Sequence, residues 1–382
     1  MFGLGEIISL LLIAASLAGC LYQIAAALLL RRFMSRPVPQ PDQRPPISVM
    51  KPLCGAEPGM AANLASCLDQ DYPKFQLVFG VSDATDPALA EVAALPRDRA
   101  EISVVVEPRS HGRNLKVGNL LNMWPSVRHD VIVIADSDIR VGRDYLDQVA
   151  AGFNDPRTGV VTCLYVGQPQ DDTWSRLGAL GINHGFLPSA VLARAIGRKD
   201  GCFGATMAVR RDVLERAGGL EALANVLADD WVLGDMVRKQ GLAIELAARP
   251  VGIMVHEPDL KSLFCHEIRW GRTIAAVDRP SYLASVITQP VALACLAVLS
   301  GWFWAPSLAA LAASALIRLW AVRSGERALG LPPTGPGLLG FREILSFAVY
   351  VVASCGRTVI WRGRRFVVQR DGTLVPAEGS CP

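Results

Sequence analysis

The stretch Val131–Gly142, "VIVIADSDIRVG", decides how the chain is read. Four aliphatic residues and an alanine run straight into two aspartates separated by one serine. A strand buried on both faces can consist of Val and Ile alone, so the run reads as a strand of a mostly parallel sheet. Its end delivers Asp136 and Asp138 together. Two like charges that close repel, and a positive group between them relieves the repulsion.

Working outward, "FQLVFGVSD" (Phe75–Asp83) and "EISVVVEP" (Glu101–Pro108) are further β-rich runs. "MAANLASCLDQ", "PALAEVAAL" and "NLKVGNLLNMW", which lie between the strands, have helical spacing. This alternation predicts an α/β fold, a mostly parallel sheet with helices on both faces. Ligands in such sheets sit at the carboxyl ends of the strands. Asp83 and the Asp136/Asp138 pair both end strands, so they converge on one edge.

From Gly159 the pattern changes to "GVVTCLYVG" and then to an apolar stretch, Leu177–Ile196, interrupted by His184, Pro188 and Arg194. That stretch reads as an interfacial helix against lipid headgroups. A glycine-rich turn, a short strand and a helix ending at Gly218-Gly219 come next.

Half of the 382 residues are apolar (51%) and only 19% are charged, which points to membrane segments. The net charge of +3 gives no reason to expect nucleic acid as a partner. Nine cysteines, an odd number without a CxxC pair, argue against a disulfide framework and for reduced thiols.

Ile7–Leu30 is an uncharged run of 24 residues. As a helix it spans about 36 Å, enough to cross a bilayer. "SLAGC" (Ser16–Cys20) resembles a lipoprotein processing site, but Glu6 precedes the run, and it continues ten residues past Cys20. An uncleaved anchor is expected. Arg31, Arg32 and Arg36 place the chain beyond the anchor in the cytoplasm. "RPVPQPDQRPP" (Arg36–Pro46), with five prolines in eleven residues, reads as an extended spacer. Near the other end, Leu283–Ala305 and Ser307–Val322 read as a helical hairpin across the bilayer. Phe341–Ile360 reads as a fourth crossing or a re-entrant segment, because a single crossing would export the basic run "WRGRR". "FVVQRDGTLVP" reads as a hairpin turning at Asp371-Gly372. The expected organisation is an anchor (1–35), a linker (36–46), a cytoplasmic domain (47–280), membrane helices (281–360) and a short tail (361–382).

Three clusters carry chemistry. The DxD of Asp136 and Asp138 either caps the next helix or holds a divalent cation, Mg²⁺ or Mn²⁺, which take one or two carboxylates plus substrate phosphates. A phosphatase of the haloacid-dehalogenase type also places an aspartate after a hydrophobic strand. However, Arg140 occupies the position where such sites carry Thr or Val. "LADDWVLGDMVRKQG" puts paired acids at a helix start, where they either complement the helix dipole or supply a general base. "HEIRW" (His266–Trp270) lacks the second histidine of a zinc protease. Arg269 beside Trp270 suits a diphosphate and a flat apolar wall, or equally a helix skimming the membrane.

Together, "KPLCGAEP", "LDQDYPKFQLVFGVSDATDPA", "NLKVGNLLNM", "ADSDIRV", "GATMAVRRDVLERAGGL", "LADDW" and "HEIRW" make the chain resemble membrane-bound, family-2-type glycosyltransferases. Within these it is most similar to the ceramide glucosyltransferase family (glycosyltransferase family 21), from about Val49 to Asp278. The resemblance implies a GT-A nucleotide-sugar-binding domain on the cytoplasmic face, a UDP-sugar donor, a divalent cation and a lipid acceptor. It implies that Asp83 holds the uracil or ribose and that Lys116 helps hold the nucleotide. Asp136 opens the DxD, Asp138 is the more direct metal ligand, and Asp230 is the catalytic aspartate. Arg269 and Trp270 match the end of the (Q/R)xxRW motif, and His266 departs from it at the first position. The acceptor divides between ceramide and the hopanoid polyols of a bacterial branch that uses N-acetylglucosamine. The wording of "HGRNLKVGNLLNM" and "LYVGQP…WSRLGALGINHGFLP" is closer to the hopanoid branch, which implies a bacterial inner membrane. An anchored nucleotide-sugar-binding protein without activity is the reading of another class, but the key acids are all present.

Overall fold

The computed structural model describes residues 3–170, 172–361 and 364–377. Arg362 and Gly363 of the "WRGRR" run and the last five residues of the expected tail lie outside them. Between the N-terminal helix and the C-terminal helices run ten strands. They are β1 (Ile47–Pro52), β2 (Phe75–Val81), β3 (Glu101–Val106), β4 (Val131–Ala135), β5 (Ile139–Arg140), β6 (Thr158–Thr162), β7 (Tyr165–Pro169), β8 (Thr206–Arg210), β9 (Ala243–Leu246) and β10 (Val251–Val255).

Seven strands form the main sheet in the order β3-β2-β1-β4-β8-β6-β9. β3, β2, β1 and β4 are parallel, β8 is inserted antiparallel between β4 and β6, and β9 is again parallel to β6. Every residue of β2 and β4 is buried, as continuous aliphatic runs require when helices cover both faces. One apolar layer packs on Met60–Leu68 and Tyr145–Ala151, the other on Leu115–Met123 and Asp229–Lys239. Asn114 caps Leu115–Met123 by accepting from the Val117 amide at 3.1 Å. This is the mixed, mostly parallel α/β sheet that the alternation predicts.

A second sheet, β5-β10-β7, has no signature in the sequence. It starts where the chain leaves β4: the Met254 amide donates to the Asp138 carbonyl at 2.8 Å, and Ile253 then pairs with Ile139. On its other side β10 runs parallel to β7, with Val251 opposite Tyr165.

Among the described residues three helices are long and apolar enough to cross a membrane: Leu4–Met34, Ala305–Leu329 and Pro336–Ser354. A fourth span arises if Arg279–Thr288 and Pro290–Ser300, bent by 74°, count as one. The straight helix expected over Leu283–Ala305 breaks at Pro290, which has no N–H to donate and restricts Gln289 before it. The last helix begins five residues before the expected Phe341–Ile360 and ends at Ser354, the stretch beyond pairing as a strand, and it accommodates Arg342 and Glu343 by pairing them. Arg318 Nε donates to Glu343 at 2.8 Å, and Arg342 grips Glu267 with two nitrogens at 2.6 and 2.9 Å. Leu177–Ile196, expected at an interface, is a helix with a π turn at Ile182–Phe186. Its side chains Leu187 and Val191 pack inside, against Leu30 and Phe33 of the N-terminal helix.

The tail is ordered earlier than residue 361. β11 (Thr358–Trp361), β12 (Arg364–Val368) and β13 (Leu374–Pro376) form an antiparallel sheet. Its second hairpin turns at Asp371-Gly372, where Gly372 has φ +82°, a conformation open to glycine.

Candidate active site

The site is built on the carboxyl ends of β4 and β1. β1 carries Lys51, which is fully buried and donates from Nζ to the Asp136 carbonyl at 2.7 Å. A lysine at 0% exposure needs such a partner. It also fixes the backbone from which both DxD side chains project. From the other side, β8 pairs Thr206 with Ala135, and the Asp136 amide donates to the Ala205 carbonyl at 3.1 Å.

Lys116, in the first turn of Leu115–Met123, reaches Asp136 Oδ1 at 2.7 Å and Asp229 Oδ2 at 3.6 Å. Burial works against its charge, but Asp136, Asp229 and Asp230 outweigh it and hold the ammonium above its ordinary range. Asp138 is nearly enclosed. Burial, then the neighbouring charges of Asp136 and Glu57, push its carboxyl up to about 7. Its Oδ1 has no hydrogen-bond partner. Asp230 is the second residue of the helix Asp229–Lys239, and the Trp231 amide donates to its Oδ1 at 2.7 Å. Burial and the adjacent Asp229 raise it to about 6. Gly204 lies so close that a β-carbon there would stand 3.2 Å from Asp230 Oδ2. Tyr165 joins these groups: its phenol is raised first by burial and then by Asp230, Asp136 and Asp138.

The structure thus brings Lys116, Asp136, Asp138 and Asp230 together. Asp83 ends β2 on the same edge, but it is bound locally, accepting from the Thr85 amide and hydroxyl at 2.8 Å. These bonds hold its carboxyl below its usual range. No bond links it to the acid cluster among the described residues. His266, Arg269 and Trp270 share the helix Leu260–Val277, which comes after β10. His266 Nδ1 meets Glu257 Oε1 at 2.7 Å, and its ring lies 4.3 Å from that of Trp270. The Arg269 guanidinium is mostly enclosed, and burial lowers its proton affinity against the pull of Glu257.

Sequence reasoning missed Lys51, Tyr165, Glu257 and the role of Asp229. A lysine inside the apolar run "ISVMKP" was the one available signal. It also missed the bracing of the Asp229-Asp230 loop. Asn114 Nδ2 donates to the Val226 carbonyl at 2.7 Å, and the Leu227 amide donates to the Gly372 carbonyl at 2.9 Å. Arg113 bonds the Leu374 carbonyl from the same helix start. The C-terminal sheet therefore holds the loop that presents the acids.

Do the acids suit a divalent cation? Among the described residues no three metal-ligating side chains are gathered as a ready site. Mg²⁺ and Mn²⁺ do not need one, since they use one or two carboxylates plus phosphates. An enclosed carboxylate oxygen without a donor, beside a second carboxylate, fits that requirement.

Comparison with known proteins bears on the fold and the family. The chain is 30% identical to a ceramide glucosyltransferase of Komagataella phaffii over 33% of its own length and 26% of that relative's. It is 24% identical to one of Pyricularia oryzae over 97% of its length and 94% of the relative's. A mannosyltransferase of Pyrobaculum calidifontis, solved with GDP-Man and Mn²⁺, shares the fold. It has a TM-score of 0.52 at 22% identity, covering 92% of this chain and 98% of that one. The family model for glycosyl transferase family 21 matches residues 11–374, and the chain belongs to that family.

Proposed function

We propose that the protein is a membrane-bound, inverting glycosyltransferase that moves a sugar from a UDP-sugar to a hydroxyl of a lipid. The observation that carries the reading is the partnerless, buried Asp138 oxygen set beside Asp136, with Lys116 and Tyr165 each within electrostatic reach of both Asp136 and Asp230. The membrane helices supply the second half, a lipid acceptor within reach. Asp136 and Asp138 would hold a divalent cation, which would supply positive charge against the diphosphate leaving group. Lys116, between Asp136 and Asp229, places an ammonium beside them for the donor phosphates. Arg269, enclosed and in no ion pair among the described residues, adds a guanidinium for the same oxygens. His266, held by Glu257, fixes the turn of that helix that carries Arg269 and Trp270. Asp83 stands at the strand end suited to the nucleoside.

Asp230 takes the proton of the attacking hydroxyl. Its carboxyl, raised to about 6, remains ionised at neutral pH yet is more basic than an exposed aspartate. Attack from the face opposite the leaving diphosphate inverts the anomeric centre. The acceptor we favour is a bacteriohopane polyol receiving N-acetylglucosamine, on the inner membrane with the sheet domain in the cytoplasm. The basic residues Arg31 and Arg32, in the last turn of the first helix, support that orientation. Ceramide receiving glucose is the second reading, favoured by the names of the relatives.

The test is transfer from radiolabelled UDP-sugar into the organic phase by purified protein in nanodiscs, with each lipid in turn. A labelled lipid that disappears in Asp230→Asn supports the reading. Labelled lipid formed equally well by Asp230→Asn removes Asp230 as the base, and no labelled lipid with any acceptor removes the lipid-transfer reading.

A further inference from the structure

The membrane helices Leu4–Met34 and Ala305–Leu329 end side by side, where a β-carbon at Gly325 would stand 3.7 Å from Leu30. Between the two ends opens a cavity of about 370 Å³, lined by Arg31, Met34, Ser35, Trp320, Ser324 and Arg327 among others. Each helix contributes one arginine from its last turn, Arg31 from the first and Arg327 from the second. Cations are favoured there because the last carbonyls carry roughly half a negative charge per helix. Half a charge does not neutralise a guanidinium, so each arginine keeps positive charge for another partner.

Neither side chain has a hydrogen bond or ion pair among the described residues, and both residues are exposed. The two helices offer almost no acid. From Ile7 to Pro41 the sequence has none, and from Trp302 to Phe341 it has only Glu326. Glu326 is 3% exposed and already engaged: Arg323 Nη1 donates to it at 2.8 Å and the Thr334 amide at 2.7 Å. Arg323 gives its other nitrogen to the Thr334 carbonyl at 2.9 Å. Two uncommitted guanidiniums thus line one cavity from two helices. A phosphodiester, which accepts from several donors at once, suits that pair.

The rest of the lining says what else the ligand must carry. Trp320 lies seven residues before Arg327, about 10 Å back along the helix toward the membrane interior. Its indole is 42% exposed and lines the same cavity. Tryptophan is enriched at the level where head groups meet acyl chains. A cationic rim with an aromatic wall two turns deeper fits an anion that has an apolar end.

We propose that this cavity binds the head of an anionic phospholipid of the surrounding bilayer, with the phosphate between Arg31 and Arg327 and the glycerol backbone against Trp320. A zwitterionic lipid brings an ammonium beside its phosphate, which the two guanidiniums repel, whereas an anionic head brings none. The inference rests on the membrane placement given above and not on sugar transfer. Its consequence reaches the sheet domain. Leu30 and Leu329, close to these arginines along the chain, pack with Leu164 and Val166 on either side of Tyr165. A lipid that bridges the two helix ends therefore helps hold the strand that carries Tyr165.

The experiment titrates full-length, detergent-purified protein with phosphatidylglycerol or phosphatidylcholine and counts bound lipids by native mass spectrometry. Arg31→Gln and Arg327→Gln each remove one side of the clasp. Arg32→Gln removes the same charge one residue away but outside the cavity lining. All three residues are exposed, so the substitutions leave the packing intact. The expected result is a single phosphatidylglycerol bound per chain in preference to phosphatidylcholine. Its affinity should fall about tenfold in Arg31→Gln and in Arg327→Gln and stay unchanged in Arg32→Gln. Glycerophosphoglycerol, the same head without its tails, should not compete at equal concentration. Equal binding of the two lipids, no loss in either cavity variant, the same loss in Arg32→Gln, or displacement by the tail-less head overturns the inference. The readout is binding, so each of these results leaves the lipid-transfer reading to its own assay.

Discussion

At the carboxyl edge of the main sheet, Asp136, Asp229 and Asp230 share the ammonium of Lys116, while Lys51 donates to a backbone carbonyl beside Asp138. Between the membrane helices, Arg318 faces Glu343 and Arg342 faces Glu267, one guanidinium to each carboxylate. The first region leaves negative charge uncompensated and an oxygen of Asp138 without a partner. The second closes its charges on itself. Burial alone does not separate them, since both are largely removed from water. What separates them is whether the protein itself completes the charge balance.

The sharpest way to break this contrast is at Asp230. Asp230→Asn should lower lipid glycosylation by about 10³-fold, the typical worth of a positioned general base, with UDP binding retained by calorimetry. Next, Asp138→Asn or excess EDTA should lower turnover by about 10²-fold or more, the scale of losing leaving-group stabilisation. The same Asp138→Asn should raise the melting temperature of the ligand-free protein, because it removes a buried carboxylate repelled by Asp136 and Glu57. In the closed region the sign reverses. Arg342→Met leaves Glu267 buried and alone, and should cost about 3–5 kcal/mol in detergent unfolding. Adding Glu267→Met to it should recover most of that loss.

pH separates the regions more gently. Asp230 has its carboxyl raised to about 6, and the base works only when ionised. kcat should therefore be full at neutral pH and fall as pH drops through about 6, roughly tenfold per unit below it. The smallest effect belongs to the C-terminal sheet. Gly372→Val, at φ +82° and with a β-carbon 3.1 Å from Val226, should loosen the Asp229-Asp230 loop. We expect a few-fold loss of kcat with little change in the KM for UDP-sugar.

Much of the first region was legible in the sequence because its cause is local. Aliphatic runs ending in acids give strands with carboxylates at one edge, and β2 and β4 obey that rule. The Asp230 helix start and the hairpin at Asp371-Gly372 were legible for the same reason. The second sheet was not, because β5 is two residues long and pairs with a strand more than a hundred positions away. Tyr165 was hidden with it. Nor was the closed network: Arg318 and Arg342 sit within helices read from hydropathy, and their partners Glu343 and Glu267 could be assigned only by tertiary packing.

The most direct test is Mn²⁺ binding monitored by electron paramagnetic resonance, with purified protein and UDP present. The account predicts one tight ion per chain that requires UDP, is lost in Asp138→Asn and survives in Asp230→Asn. Equal binding by wild type and Asp138→Asn, or no binding with UDP saturating, would contradict it.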